Sequence, residues 1–177
     1  EGIAFPYISG QFAMLANDEV KMLQNSSLLK WASYSISSSP LQKNMLEFCI
    51  GEGSPTGVSH KLMTMDVGES FKLRGPFGKF LLDENAPEYV FLATGTGIAP
   101  LISMIRTLVG KGVSVPITLY FGFRFPSQYM YQEELEQLQR THKNFRCIPI
   151  ASRPDSQWKF AKGHIQDALK GSKHKEP

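Results

Sequence analysis

The chain has 177 residues, of which 42% are hydrophobic and 20% charged, and its formal net charge is +3. That is the composition of a globular protein with a packed core, enough for one large domain or two small ones. No apolar run approaches the roughly 20 residues of a membrane helix, and the cations are scattered until the tail. Membrane and nucleic-acid partners are therefore not expected, and without a basic-then-apolar leader after Glu1 a cytoplasmic location is. Cys49 and Cys147 stand in separate apolar segments, outside metal-ligand spacing. They read as buried free thiols, so no metal site is expected, and two cysteines cannot hold a four-cysteine iron–sulfur cluster.

Residues 1 to about 82 read as all-β. Tyr7 to Leu15 is a turn feeding a strand, and Asn17 to Leu29 is a polar loop. Lys30 to Pro40 is a strand ending in serines, and Asn44 to Ile50 is another. Gly51 to Gly57 is a turn-rich link before a short helix over His60 to Met65. Ser70 to Arg74 alternates as a strand should, and Gly75-Pro76-Phe77-Gly78 reads as its turn. Short strands with regular turn signals predict a small antiparallel barrel.

After a surface link at Leu82 to Glu88 the pattern changes. Tyr89 to Ala93 is an apolar, β-branched and aromatic run of the kind found in fully buried strands. Thr94 to Gly97 breaks it, and Pro100 opens Leu101 to Leu108, whose apolar residues recur at helical spacing. Two glycines in a strand-to-helix turn let the backbone approach a phosphate, and the helix start offers free N–H groups. The pattern is Gly-x-Gly-x-x-Pro, not the dinucleotide fingerprint, so an ordinary turn without a ligand stays open. Val115 to Gly122, Ser127 to Arg140, Phe145 to Ala151 and Gly163 to Leu169 continue as strand, helix, strand, helix. This alternation predicts a doubly wound parallel sheet. The expected domains are residues 1–84 and 85–177. Three strands make a short sheet and few strands precede Gln11, so both ends are expected to be trimmed.

Four motifs in order carry a resemblance: Tyr34-Ser35, Gly57-Val58-Ser59, Gly95-Thr96-Gly97 through Pro100, and Ser152-Arg153-Pro154. With Gly75-Pro76-Phe77-Gly78 between them, the chain resembles the ferredoxin–NADP⁺ reductase superfamily along nearly its whole length. The resemblance implies a barrel that binds FAD followed by a domain that binds NADP, with NAD as an alternative. It implies a flavoprotein that passes a hydride from NADPH to FAD and single electrons to a ferredoxin, a flavodoxin or a fused redox domain. An NADH-dependent reductase component of an oxygenase or cytochrome system, and a non-catalytic flavin- or nucleotide-binding subunit, are the alternatives.

The roles the resemblance implies are specific. Tyr34 packs its ring on the flavin and Ser35 reaches the reactive edge, within a segment that includes Ala32 and Ser33. Backbone of Cys49, Ile50, Gly51 and Glu52 hydrogen-bonds the flavin. Gly57, Val58 and Ser59 hold its phosphates, and Gly95, Thr96 and Gly97 complete the contact from the second domain. Ser152, Arg153 and Lys162 grip the 2′-phosphate of NADP. A cross-strand role for Tyr34, a capping role for Ser59 and a solvated-surface role for the cations are the structural alternatives. Two departures stand out: Ala32 replaces the family's phosphate-binding arginine, and His164 stands where an aromatic is usual.

Overall fold

A computed structural model of the chain describes residues 5–18 and 30–171. Most of the polar stretch from Asn17 to Leu29, and the last part of the tail, lie outside the described residues. In the first half, β1 (Phe12–Ala16), β2 (Ala32–Ser35) and β3 (Lys72–Phe77) form an antiparallel sheet in the order β2-β1-β3. Strand alternation puts Ala13 and Leu15 on one buried face. Tyr34 and Ala32 lie directly opposite them in register and so share that face. A short helix, α1 (Val58–Thr64), follows with Gly57 at its N-cap.

Several local expectations are corrected. The strand predicted from Lys30 to Pro40 ends at Ser35, and the one predicted from Asn44 to Ile50 is reduced to a single bridge between Ile36 and Phe48. Serine side chains add to the few backbone bonds left there, such as that from the Ser37 amide to the Glu47 carbonyl at 2.8 Å. The Glu47 backbone N–H donates to Ser38 Oγ at 3.1 Å, and Ser37 Oγ donates to the Glu47 carboxylate at 2.8 Å. Gly75 and Pro76 do not turn the chain but lie within β3. Their turn signal marks a bulge, where the β1–β3 register shifts between Phe12 and Met14. A Cβ on Gly75 would stand 3.3 Å from the Ala13 Cα, with φ at +144°. Only glycine suits that crossing.

Residues 78–88 carry neither strand nor helix. Beyond them β4 (Tyr89–Thr94), β5 (Ile117–Phe123), β6 (Phe145–Ala151) and β7 (Ala161–Lys162) form a parallel sheet in that order. The short β7 was not predicted; two residues bounded by exposed polar positions leave no periodic signal. Helix α2 (Ile98–Gly110) starts with Pro100 in its first turn and buries Ile98, Leu101, Ile102, Met104, Ile105 and Leu108 against the sheet. Helix α3 (Gln132–Thr141) begins later than Ser127, because Pro126–Gln128 forms a 3₁₀ turn and Tyr131 takes a left-handed φ of +57°. Helix α4 (Ile165–Lys170) closes the described chain. Every residue of β5 is buried, so the core lies around it. Among the described residues no helix is long and apolar enough to cross a membrane.

The two sheets are joined through hydroxyls on α2. Ser103 Oγ donates to the Ser38 carbonyl at 2.6 Å, while Thr107 Oγ1 lies 2.7 Å from Ser9 Oγ and 2.8 Å from Ser39 Oγ. All five of these side chains are buried, so each hydroxyl needs its partner.

Candidate functional site

Strand β2 presents Tyr34 toward α1, and the Tyr34 and Ser59 hydroxyls are 2.7 Å apart. Ser59 is the second residue of α1 and makes no cap; Gly57 occupies that position. The link after Gly51 folds back over this helix, so that a Cβ on Gly53 would stand 3.0 Å from the Ser59 Cβ. A Cβ on Gly51 would meet the Thr96 Cγ2 at 3.2 Å. The segment holding Cys49, Ile50 and Gly51 is therefore pressed against the Gly95–Gly97 turn of the other half. Cys49 Sγ lies 3.4 Å from Met130 Sδ, another contact between the halves.

That turn is a single 3₁₀ stretch at the carboxyl end of β4, and Gly95 has φ +50°. A Cβ built on Gly95 or Gly97 would meet nothing within 4 Å. The backbone there faces open space. The space is a cavity of about 860 Å³ that reaches from Ile50, Gly51 and Met63 past Thr96 to Arg124, Gln128, Ser152 and His164. It runs along the carboxyl ends of β4, β5 and β6, where open parallel sheets bind ligands. Its size lies in the roughly 300–1,000 Å³ range of small-molecule and cofactor sites.

At the far end, the Ser152 and Arg153 amides donate to the carbonyls of Phe123 and Arg124, at 3.0 and 2.8 Å. Lys162 pairs with Ala151 across β6 and β7. Ser152 lines the cavity, whereas Arg153 and Lys162 are exposed beside it. Phe123, at the cavity wall, stacks on Tyr129 with centroids 5.0 Å apart and meets Trp158 edge-on at 5.4 Å. The Gln128 side chain accepts from the Arg124 and Phe125 amides, both at 3.2 Å, and so fixes the loop that carries Arg124.

The two thiols and two phenols behind the cavity wall are held in their neutral forms. Burial pushes the Cys147 thiol up to about 11 and the Cys49 thiol in the same direction. Both cysteines are free, Cys147 buried and Cys49 half-buried, and neither is a ready nucleophile. Burial also pushes the Tyr129 and Tyr131 phenols far up, so both stay protonated.

The family model for an oxidoreductase NAD-binding domain matches residues 91–176. The chain is 30% identical over 171 residues to ferredoxin–NADP reductase B of Sorangium cellulosum, covering 94% of this chain and 66% of that protein. In sequence and in fold the chain is similar to the ferredoxin–NADP⁺ reductase-like superfamily. Within that superfamily it is also similar to the reductase component of a Pseudomonas phenol 2-monooxygenase, at 29% identity over 93% of this chain and 46% of that protein. It thus spans less than two-thirds of the length of these curated relatives. Among solved structures, the ferredoxin-NADP⁺ reductase of Plasmodium falciparum with 2′P-AMP superposes with a TM-score of 0.77 at 25% identity, over 94% of this chain and 67% of that one. The FAD/NAD-binding domain of a Vibrio cholerae nitric oxide dioxygenase shares the fold, with a TM-score of 0.79 at 21% identity over 93% and 69%. The architecture of the superfamily, an antiparallel flavin-type barrel domain followed by a parallel nucleotide-binding domain, is the one predicted.

Of the residues singled out for a superfamily site, Ile50, Gly51, Gly95, Thr96 and Ser152 line the cavity. Tyr34 and Ser59 are brought together beside α1, the helix whose Met63 forms one wall of the cavity. Arg124, Gln128, Met63 and Met130 also line it and were not predicted. Arg124 had a usable signal, since it directly follows β5 at the ligand-binding end of the sheet. The methionines had none, because a methionine at helical spacing is read first as core.

Proposed function

We propose that the chain is the flavin- and nucleotide-binding part of a reductase that takes a hydride from NADPH onto FAD and delivers electrons singly to a protein acceptor. The observation that carries this is the cavity that starts where Gly51 meets Thr96 and ends between Arg124 and Ser152. Its walls fit the two groups. The glycine turn is open where a phosphate-bearing ligand would run, and the cations gather at the opposite end from the Gly51–Thr96 contact. When bound, FAD supplies the two-electron-to-one-electron chemistry.

The protein's own residues do the rest. Tyr34 offers its ring to the flavin and Ser35 its hydroxyl to the reactive edge. Backbone groups of Cys49 to Glu52 orient the flavin, with Ala32 and Ser33 flanking. Gly57, Val58 and Ser59 hold its phosphates from the start of α1. Gly95, Thr96 and Gly97 fix the nicotinamide half, and Thr96 keeps it against the Gly51 backbone. Ser152, Arg153, Lys162 and Arg124 bind the adenosine phosphate, with guanidinium forks favouring the 2′-phosphate of NADP over the bare hydroxyl of NAD. No step requires a general base.

The acceptor is a small acidic electron carrier such as a ferredoxin or flavodoxin, drawn by the modest positive charge. A second reading, a reductase component of an oxygenase using NADH, is favoured by the relatives that carry such names and by the exposure of Arg153 and Lys162. The test is a visible spectrum of the purified protein loaded with FAD, followed by anaerobic addition of NADPH and, separately, NADH. Flavin bands that bleach faster with NADPH are expected. Bands that stay oxidised with both would leave a binding subunit, and faster bleaching with NADH would select the second reading.

A further inference from the structure

Outside the cavity, Arg106 is paired with two carboxylates from two different elements. This side chain, on α2, is only 16% exposed. Its Nε and Nη2 donate to the two carboxylate oxygens of Glu134 on α3, both at 2.7 Å. Its Nη1 donates to Glu47 Oε1 at 2.9 Å and to the Ser37 carbonyl at 2.8 Å. Glu47 Oε1 also accepts from Tyr131 Oη at 3.1 Å, and the Tyr131 ring lies 5.2 Å from the guanidinium carbon. One cation therefore ties α2, α3 and the loop of the barrel half together. Without it, two partly buried carboxylates would lose their shared cation, and the Glu47 carboxylate would keep only the Ser37 and Tyr131 hydroxyls.

The place of this cluster matters more than its strength. Glu47 begins the short run that ends at Gly51, and Arg106 sits along α2 from Thr96. Extended backbone covers about 13 Å between Glu47 and Gly51 at roughly 3.3 Å per residue. A helix covers about 15 Å between Thr96 and Arg106 at roughly 1.5 Å per residue. The two arms are nearly equal, and they touch at both ends: Glu47 with Arg106, and Gly51 with Thr96. Midway along the first arm, Cys49 rests against Met130, which belongs to neither arm but to the segment before α3. The result is a frame, and the cavity opens from its far corner.

We propose that Arg106 is a positioning residue, setting the separation between the Cys49–Glu52 backbone and the Gly95–Gly97 turn. It touches no ligand. It acts by holding the near end of the frame shut, so that the far end presents the two backbone segments at a fixed spacing. The proposal deepens the function given above and rests on it where flavin reduction is concerned; the spacing itself is a property of the chain alone.

The experiment uses the full chain with Arg106→Met, Arg106→Lys, Glu47→Gln and Glu134→Gln, and the double variant Glu47→Gln with Arg106→Met. On the protein without cofactors, amide hydrogen exchange at 49–52 is expected to quicken tenfold or more in Arg106→Met and Glu47→Gln. Exchange at 101–108 in α2 should stay as it was. On the FAD-loaded protein, single-turnover reduction by NADPH should slow at least tenfold, while binding of 2′-phospho-AMP, seated at the distant Ser152 end, changes less than twofold. The double variant should be no worse than the worse single one, and Arg106→Lys should fall between Arg106→Met and the parent, because a point charge cannot replace the fork. Unchanged exchange at 49–52 in Glu47→Gln and Arg106→Met overturns the proposal. So does quickened exchange with an unchanged reduction rate, which leaves Arg106 a merely structural residue. If Arg106→Met does not fold, Glu47→Gln and Glu134→Gln decide by the same readings. If the parent is not bleached by either nicotinamide nucleotide, the function above falls, and the exchange measured without cofactors still decides whether Arg106 sets the spacing.

Discussion

Tyr34 and Ser59 hydrogen-bond to each other across 2.7 Å, from a strand to a helix. If Ser59 turns to a flavin phosphate when FAD binds, that bond exists only in the cofactor-free protein. A neutral hydrogen bond contributes about 1 kcal/mol. Tyr34→Phe should then lower the melting temperature of the cofactor-free protein and leave the FAD-loaded one unchanged. FAD should bind the variant about fivefold more tightly, because the free state alone has been weakened. Paired melts with and without FAD, and a titration, check this. Equal losses in both states would show that Ser59 keeps its tyrosine partner and that its phosphate role is wrong.

The cations beside Ser152 are expected to set the choice of nucleotide. One charge-assisted contact to a 2′-phosphate is worth about 1.5–3 kcal/mol. Arg153→Ala is expected to cut the kcat/KM preference for NADPH over NADH about tenfold or more. Arg124→Ala should do likewise, since Arg124 lines the cavity and its carbonyl is bonded to the Arg153 amide. Steady-state kinetics with both nucleotides measure the ratio. A parent enzyme with equal kinetics for the two would refute the assignment.

Flavin is expected to be held less firmly than in relatives with an arginine at the Ala32 position. Lys61, one candidate substitute, is already paired with Glu69 at 2.9 Å. Lys30 is exposed and has the strand parity of Ala32, so it is the better candidate. Ala32→Arg should raise FAD affinity roughly ten- to a hundredfold, and Lys30→Ala should lower it in the parent. Dialysis followed by a flavin count gives the answer. Full retention by the parent, with nothing gained from arginine, would mean that the phosphates lie elsewhere.

Acid should loosen the joint between the two halves. Burial alone would raise the Glu47 carboxyl, but hydrogen bonds from Arg106, Ser37 and Tyr131 outweigh it and hold the group below its ordinary 4.5. A folded value below the unfolded one means that Glu47 contributes stability in full above about pH 4.5–5 and loses it as pH falls through the lower folded value. Glu47→Gln should therefore melt lower than the parent at pH 7, with the gap narrowing below pH 4.5. Thermal melts from pH 7 to 3 follow the gap. A gap that does not narrow would show that the charge on Glu47 contributes nothing.

The alternation from Tyr89 onward was legible because a parallel sheet buries both faces of its central strand, and β5 is buried throughout and mostly apolar. The glycine turn at Gly95 was legible for a related reason: it interrupts such a run just before a proline that can start a helix. The serine-rich stretch was misread as a longer strand because its ladder thins to a few backbone bonds and its serines pair instead with Glu47 and with Ser103 and Thr107 on α2, which no local pattern records. Gly75 and Pro76 carry a turn signature and supply a bulge instead, since the same residues serve both. The cavity ends recovered from sequence are those marked by glycine or a charged pair. Arg106, Glu47 and Glu134 were invisible, each an ordinary surface residue until the fold brings the three together.

The hydroxyl contacts of α2 also bear on how the chain folds. Ser9 meets Thr107 across 98 residues, Ser39 meets Thr107 across 68, and Ser103 meets Ser38 across 65. Contacts of that span close long loops, and their entropy is lost before any bond repays it. Helix α2 and its sheet rest on shorter-range pairings and can form first. The buried serines of the barrel half are then expected to find their partners on a surface already made, with the second half serving as the template on which the first completes itself.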